Sequence, residues 1–401
     1  MIGFFAAQAA AALVGAVVLL VLQTRAPLGL FLPGAWLAGT GALAVERLVL
    51  AQVGVPWTSW VLALPWVVGA FLVRGRWHWR PRVPGLLGVA VIAVIVAWMG
   101  TMFWQATNQP LVGWDAWAMW FLKGRALYQS GGLPPGFFSD PFFAAYAHLD
   151  YPLLVPLTIA GTYAWMGDVD TLMKGWWPLL AGAAACGLYF GVEGRMARLG
   201  GLILLLGLPE VWRHTVGDYV GYADLPLAVL VLFGGLFLWR RQYLTAALFF
   251  GLAGFTKNEG LVVAAAGAGI AVVMGRSCWP GVIAAVVVLP WQWQMRVFSL
   301  APELAGGSVQ WERVGVVWEA LGLWVVFAPL LFALNRPVTL VLVAQLGAAF
   351  IAYLMTPNDV QWHLRTSADR VVFQAVPLAV LLASFGLGRL LESSDAARTG
   401  A

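Results

Sequence analysis

Residues 113–156 read GWDAWAMWFLKGRALYQSGGLPPGFFSDPFFAAYAHLDYPLLVP, and they interrupt a chain that is otherwise close to continuous apolar sequence. The stretch opens on a carboxylate between two indoles, Trp114-Asp115-Ala116-Trp117, and closes on His148-Leu149-Asp150-Tyr151-Pro152. On a helical wheel at about 100° per residue, Trp117, Trp120, Phe121, Gly124, Leu127 and Tyr128 share one side. Asp115, Lys123 and Arg125 turn towards the other. That pattern predicts an aromatic-faced helix in the membrane interface with its charges towards water, holding a carboxylate beside the headgroup plane. The competing reading is that Asp115 only N-caps the helix.

Of the 401 residues, 61% are hydrophobic and 10% charged, and the mean hydropathy is +0.83. A soluble domain carries about 25% charged residues, so the expected fold class is all-α, a polytopic transmembrane helical bundle. Tryptophan, at 23 residues, fits interfacial belts. The pI near 9.4 comes from arginines clustered in short loops between apolar runs, which is a membrane-orientation pattern and not a nucleic-acid one. Cys186 and Cys278 lie in or next to apolar runs, which gives no disulfide framework and no thiolate metal site. The start, MIGFFAAQ, lacks the basic region of a cleavable signal peptide. Lysine occurs only at positions 123, 174 and 257.

Apolar runs at 3–22, 28–48, 57–73, 84–105, 171–190, 200–210, 223–239, 243–256, 260–275, 279–298, 314–334, 338–355 and 371–390 predict about 11–14 spans, several of them short. Residues 1–83 form an N-terminal set of spans, 84–390 a second set with an external loop over 106–151, and 391–401 a disordered cytoplasmic tail. The cluster Arg74, Arg76, Arg80, Arg82 places its loop in the cytoplasm. One crossing later, the Asp115 loop is outside. Arg195 and Arg198 are inside again, so 152–166 is expected to be re-entrant or interfacial if 171–190 crosses. Arg240-Arg241, Arg276, Arg336 and Arg389 also fall inside. The segments 212–226, 256–260, 299–313 and 356–370 then share the external face with Asp115, as do His148, His214 and His363; His78 alone is cytoplasmic.

Sugar transfer from a lipid phosphate needs a carboxylate to take a proton from the attacking group and cations to hold the departing phosphate. Asp115 is the candidate base. Asp224, in Gly221-Tyr222-Ala223-Asp224-Leu225-Pro226, begins an apolar run and follows Asp218 and Tyr219; it is either functional or a helix-dipole partner. Asp150 is a weaker candidate and fits a turn cap. Lys257 and Glu259 in TKNEG form either a cavity pair or a loop pair. Arg365 and Arg370, with His363 beside them, oppose the positive-inside bias and so invite a headgroup or substrate phosphate. Arg213 and His214 are a less specific pair. Asp and His side chains are available for a divalent metal, yet no ligand spacing supports one. No phosphate-binding loop is present.

Trp114-Asp115 in an external loop, then Tyr151-Pro152-Leu153-Leu154, Ala223-Asp224-Leu225-Pro226 and Thr256-Lys257-Asn258-Glu259-Gly260, together resemble the GT-C superfamily of lipid-linked-sugar glycosyltransferases. This group includes protein O-mannosyltransferases and the aminoarabinose transferases of lipid A. The resemblance covers residues 84–390. It implies a GT-C-like bundle with interfacial helices in its external loop, a catalytic acid at Asp115 and a second outer acid at Asp224. It also implies a phosphate contact near Pro152, where Tyr151 precedes the proline and His148 is the nearest cation-capable group. Ala116 stands where many members carry a second acid, which bears on metal use.

The expected function is therefore an integral membrane glycosyltransferase of the inner membrane. It would use a polyprenyl-phosphate sugar donor and a glycan, lipid or protein acceptor on the extracytoplasmic face, among membrane lipids and without nucleic acid. The alternatives are a transporter or flippase of a lipid-linked or anionic solute, for which no internal repeat is evident, and a non-catalytic assembly subunit.

Overall fold

Apolar sequence satisfies its backbone polar groups most simply within a helix. In the computed structural model, which describes residues 1–76, 84–301, 307–322 and 336–399, the regular elements are helical and no strand occurs among the described residues. His78, Arg80, Arg82, most of the expected run 314–334 and part of the 299–313 loop lie outside the described residues. Among the described residues four helices are long and apolar enough to cross a membrane: Ile2–Val21, Leu28–Gln52, Leu86–Thr107 and Arg336–Met355. Val360–Phe373 and Val376–Leu387, bent by 45° at a short break, make a fifth if taken together. Shorter apolar helices fill the interior, among them Asp224–Trp239, Tyr243–Gly254 and Glu259–Gly275. These helices suit a membrane protein.

Asp224–Trp239 is the central pillar, with every residue from Asp224 to Leu238 buried. An all-round apolar helix has to be enclosed on all sides. Its neighbours are the helices Trp176–Gly191, Tyr243–Gly254, Arg336–Met355 and Val376–Thr399. Asp224 marks one end of the pillar, and Arg240-Arg241 follow the other, about 24 Å away for a helix of this length. Arg25, Glu193, Arg240 and Arg241 line one recess at that far end. The arginine-rich turns thus gather at the opposite end of the bundle from Asp224.

Leu154–Met166 is too short to cross, at 13 residues. The Leu154 amide donates to the Phe255 carbonyl at 3.1 Å, beside the Asp224 end, and Trp165 abuts Gly3 at the start of the first helix. Both ends of this helix therefore lie at the Asp224 end, as expected for an interfacial or re-entrant segment.

Two expectations need correction. The segment after Asp115 is not one regular helix, because Ala116–Phe121 is a π-helical turn that runs into the α-helix Leu122–Ser130. A π turn holds more residues per turn than an α turn, so the wheel loses phase: Trp117 is exposed and Lys123 is fully buried. The tail expected to be disordered is helical to Thr399; Leu, Glu, Ala and Arg favour helix, and no proline or glycine interrupts 389–399.

The first two helices pack at backbone contact. A Cβ on Gly15 would lie 1.6 Å from the Ala35 carbonyl oxygen, and one on Gly39 would lie 1.7 Å from that of Ala11. Small residues permit such close packing. Gly15→Val or Gly39→Val should lower stability by about 1–3 kcal/mol or more in detergent unfolding. Gly100→Ala, where a Cβ meets open space, should be neutral or stabilising by up to about 1 kcal/mol.

Candidate functional site

Tyr219-Val220-Gly221-Tyr222 turns back on itself before the pillar begins. Gly221 has φ +96°, a conformation open to glycine and strained for other residues. A Cβ there would also lie 2.6 Å from the Ala116 Cβ. The glycine thus lets this turn press against the π turn, bringing Tyr222 and Asp224 beside Asp115. The same contact explains Ala116, which is fully buried and has no room for a second carboxylate. Pro226 sits in the first helical turn, where the absent N–H costs nothing.

Asp115 does not cap its helix with its side chain. Its carboxylate instead accepts from Arg370 Nη1 at 2.5 Å across 255 positions of sequence. Arg370 Nη2 donates to the Thr366 carbonyl at 3.0 Å. Its Nε is buried without a hydrogen-bond partner among the described residues, and its guanidinium lies 4.9 Å from the Tyr222 ring centre. Asp224 is only 2% exposed. It accepts from Lys257 Nζ at 2.9 Å and from Gln374 Nε2 at 2.6 Å. Lys257 also pairs with Glu259 at 3.1 Å. An isolated buried charge would cost several kcal/mol, and pairing with hydrogen bonds offsets that cost.

The 113–156 loop joins the same cluster at its far end. Asn258 donates to the Asp150 carboxylate at 2.7 Å, and Lys123 Nζ donates to the His148 carbonyl at 3.0 Å. His148 holds φ +43°. The Tyr151 ring lies between two ammonium groups, 5.9 Å from Lys123 Nζ and 5.8 Å from Lys257 Nζ. His363 Nδ1 is 2.8 Å from Thr356 Oγ1.

Apart from Lys123 and Gln374, which stand behind its wall, these groups line one cavity of about 710 Å³. Of the residues singled out in the sequence, Asp115, His148, Tyr151, Asp224, Lys257, Glu259, His363 and Arg370 all face it. Arg365 does not: it is exposed and donates to the Gln361 carbonyl of its own helix at 3.2 Å, because five positions along a helix turn it away from Arg370. Arg213 stays at the rim, bound to Asp218 and Asp369 at 2.8 Å each. His214 is buried, stacks on Phe373 at 3.8 Å, and is pushed down to about 4 by that burial. It is a packing residue. Asp150 lines the cavity with a larger part than its turn position suggested.

Sequence reading missed Tyr222, Gln374 and Lys123. Gln374 carried a signal, since it is the one polar residue in Val371-Val372-Phe373-Gln374-Ala375-Val376. Lys123 carried one too: all three lysines of an arginine-dominated chain are buried. Burial pushes the Tyr222 phenol up to about 12, with Asp115 adding to the shift. Among the described residues no group of three His, Cys, Asp or Glu side chains is placed to hold a metal ion.

Burial brings the Lys123 ammonium down to about 7, partly opposed by Asp150. The unfolded chain keeps the ordinary lysine value of about 10.4. Between these values the unfolded state binds the additional proton, so stability rises with pH. The unfolding free energy of the wild type relative to Lys123→Met should rise from about pH 7 to about pH 10 and stay flat below about pH 6. A difference that is flat throughout would show that Lys123 keeps its ordinary pKa.

No protein-family model, curated protein sequence or solved structure matches the chain.

Proposed function

We propose that the chain is an integral membrane glycosyltransferase of the GT-C type. It would transfer a sugar from a polyprenyl-phosphate donor to an acceptor hydroxyl or amine on the extracytoplasmic face of the inner membrane. The observation that carries this reading is the convergence of Asp115, Arg370, Lys257 and Glu259 on one cavity from segments far apart in sequence. The cavity lies at the end of the bundle away from the arginine-rich turns, which the positive-inside rule makes extracytoplasmic. The long apolar helices behind it cross the membrane on this reading.

Asp115 is the base. Its side chain is 26% exposed, against 2% for Asp224, so an acceptor reaches Asp115 and not Asp224. The acceptor oxygen or nitrogen attacks the anomeric carbon and gives its proton to the Asp115 carboxylate. The bond from that carbon to the phosphate oxygen breaks, and the bonding pair leaves with the polyprenyl phosphate. Arg370 and Lys257 are the cations that receive the phosphate. Arg370 is paired with Asp115 as it stands, and a phosphate oxygen competes for the same guanidinium. Donor binding therefore releases the carboxylate that the next step requires, and the unpartnered Arg370 Nε supplies the first hydrogen bond. Asp224 is a positioning residue that fixes Lys257. Aromatic side chains on the lining, Trp114, Trp120, Trp362 and Tyr353, offer faces for sugar and isoprenoid carbon.

A transporter would place its paired charges near the middle of the membrane on broken helices. Here Asp224 and Glu259 open their helices and Lys257 lies in the turn between two, which favours chemistry at one face.

In membranes supplied with a lipid-phosphate sugar donor, Asp115→Asn should lower transfer by about 10²–10⁴-fold, the range for loss of a general base. Arg370→Gln should lower it by about 10²-fold or more, while Arg365→Gln stays within about twofold of the wild type. Full transfer by Asp115→Asn at normal protein level would remove Asp115 from the mechanism.

A further inference from the structure

A second cavity, of about 880 Å³, lies between the N-terminal helices and the Leu154–Met166 helix. It shares no lining residue with the first. Most of its wall is apolar, including Ala10, Val14 and Ala63. One charged side chain faces it, Arg47, which is only 8% exposed.

Arg47 lacks the partners such a group normally has. Its only side-chain hydrogen bond among the described residues is from Nη1 to the Leu43 carbonyl of its own helix, at a long 3.3 Å. A guanidinium has five N–H donors. Glu46 precedes it but accepts from the Trp66 indole at 2.8 Å and makes no ion pair with Arg47 among the described residues. The guanidinium lies flat against Gly161, where a Cβ would come within 2.5 Å of Cζ. A buried, unpaired arginine in an apolar setting marks an anionic partner.

The depth selects the class of partner. Arg47 lies about 8 Å along its helix from Gln52, and the Gln52 amide donates to the Pro290 carbonyl, at the same end of the bundle as the first cavity. With the helices crossing a membrane, this is the level where phosphate and glycerol meet acyl chains. Trp57, Trp66 and Trp165 line the cavity, as aromatic side chains do at that level.

We infer that this second cavity binds an anionic phospholipid, with its phosphate on Arg47 and an acyl chain along the Ala10–Val14 and Ala63 wall. A zwitterionic lipid presents the same phosphate together with a cation that Arg47 repels, so the site prefers a singly anionic headgroup. The inference does not depend on sugar transfer.

The test uses the full chain in nanodiscs of phosphatidylcholine with or without phosphatidylglycerol. Lipid retention is read by native mass spectrometry after release into detergent, and thermal stability is read in the discs. The wild type should retain phosphatidylglycerol over phosphatidylcholine and melt at a higher temperature in its presence. Arg47→Gln should lower that retention ratio by about tenfold, the size of one charge-assisted contact. Removing a buried unpaired charge should leave the fold intact. Ala63→Trp, at an exposed lining position, fills the chain portion and should lower retention with an unchanged melting temperature in phosphatidylcholine. Asp115→Asn should retain the lipid as the wild type does. Equal retention by Arg47→Gln and wild type would overturn the inference. So would reproduction of the thermal shift by inorganic phosphate alone, which would point to a free-anion site.

Discussion

The buried pair of Asp224 and Lys257 is the interaction on which the site depends. Asp224 is only 2% exposed and opens a helix whose next fourteen residues are all buried, so its charge is met inside the protein. Lys257 meets it from the turn between Tyr243–Gly254 and Glu259–Gly275, and Gln374 meets it from the break between the last two helices. Three separate parts of the chain are thereby tied to one carboxylate. Replacing such a pair by apolar residues can be neutral, whereas removing one partner leaves an uncompensated charge at about 3–5 kcal/mol. The pair is thus a poor source of stability and a strong constraint on position. It fixes where Lys257 points, and through Asn258 and Asp150 it fixes the end of the 113–156 loop.

The first cavity is not a simple anion trap. Its lining carries four carboxylates, Asp115, Asp150, Asp224 and Glu259, against the two cations Lys257 and Arg370. A phosphate adds to the negative side. It could enter only by taking cations that already serve carboxylates, which would couple anion binding to the state of Asp115. Lys123, behind the wall at His148, is a further basic group, and burial makes its protonation sensitive to pH near neutrality. The more accessible carboxylate in this balance is Asp115, 26% exposed in its pair with Arg370, against 2% for Asp224 in its pair with Lys257.

Much of this was legible in the sequence. The helical class and the apolar runs follow from composition and run length, and the parity of arginine clusters placed Asp115, Asp224, Lys257 and Arg370 at one end, as the structure has them. What periodicity could not supply was the π turn at Ala116–Phe121, since no residue type signals it, and the wheel therefore turned Lys123 to water. Arg365 was grouped with Arg370 from their nearness in sequence, but 360–373 is a regular helix, which turns the two apart. Gln374 and Tyr222 act through contacts made only once distant segments meet, and local pattern carries no record of those. The N-terminal cavity was equally hidden, because Arg47 in an apolar run reads as the edge of a span and only packing shows that it makes no ion pair among the described residues.

The proposed chemistry requires the phosphate of a lipid carrier to reach Arg370 and Lys257 from within the membrane. A structure of the protein bound to a polyprenyl phosphate tests that directly. The phosphorus should lie within about 4 Å of both the Arg370 guanidinium and the Lys257 ammonium, with Arg370 drawn off Asp115. A phosphate bound away from both cations, or one carried through a path open alternately to each end of the bundle, would contradict it.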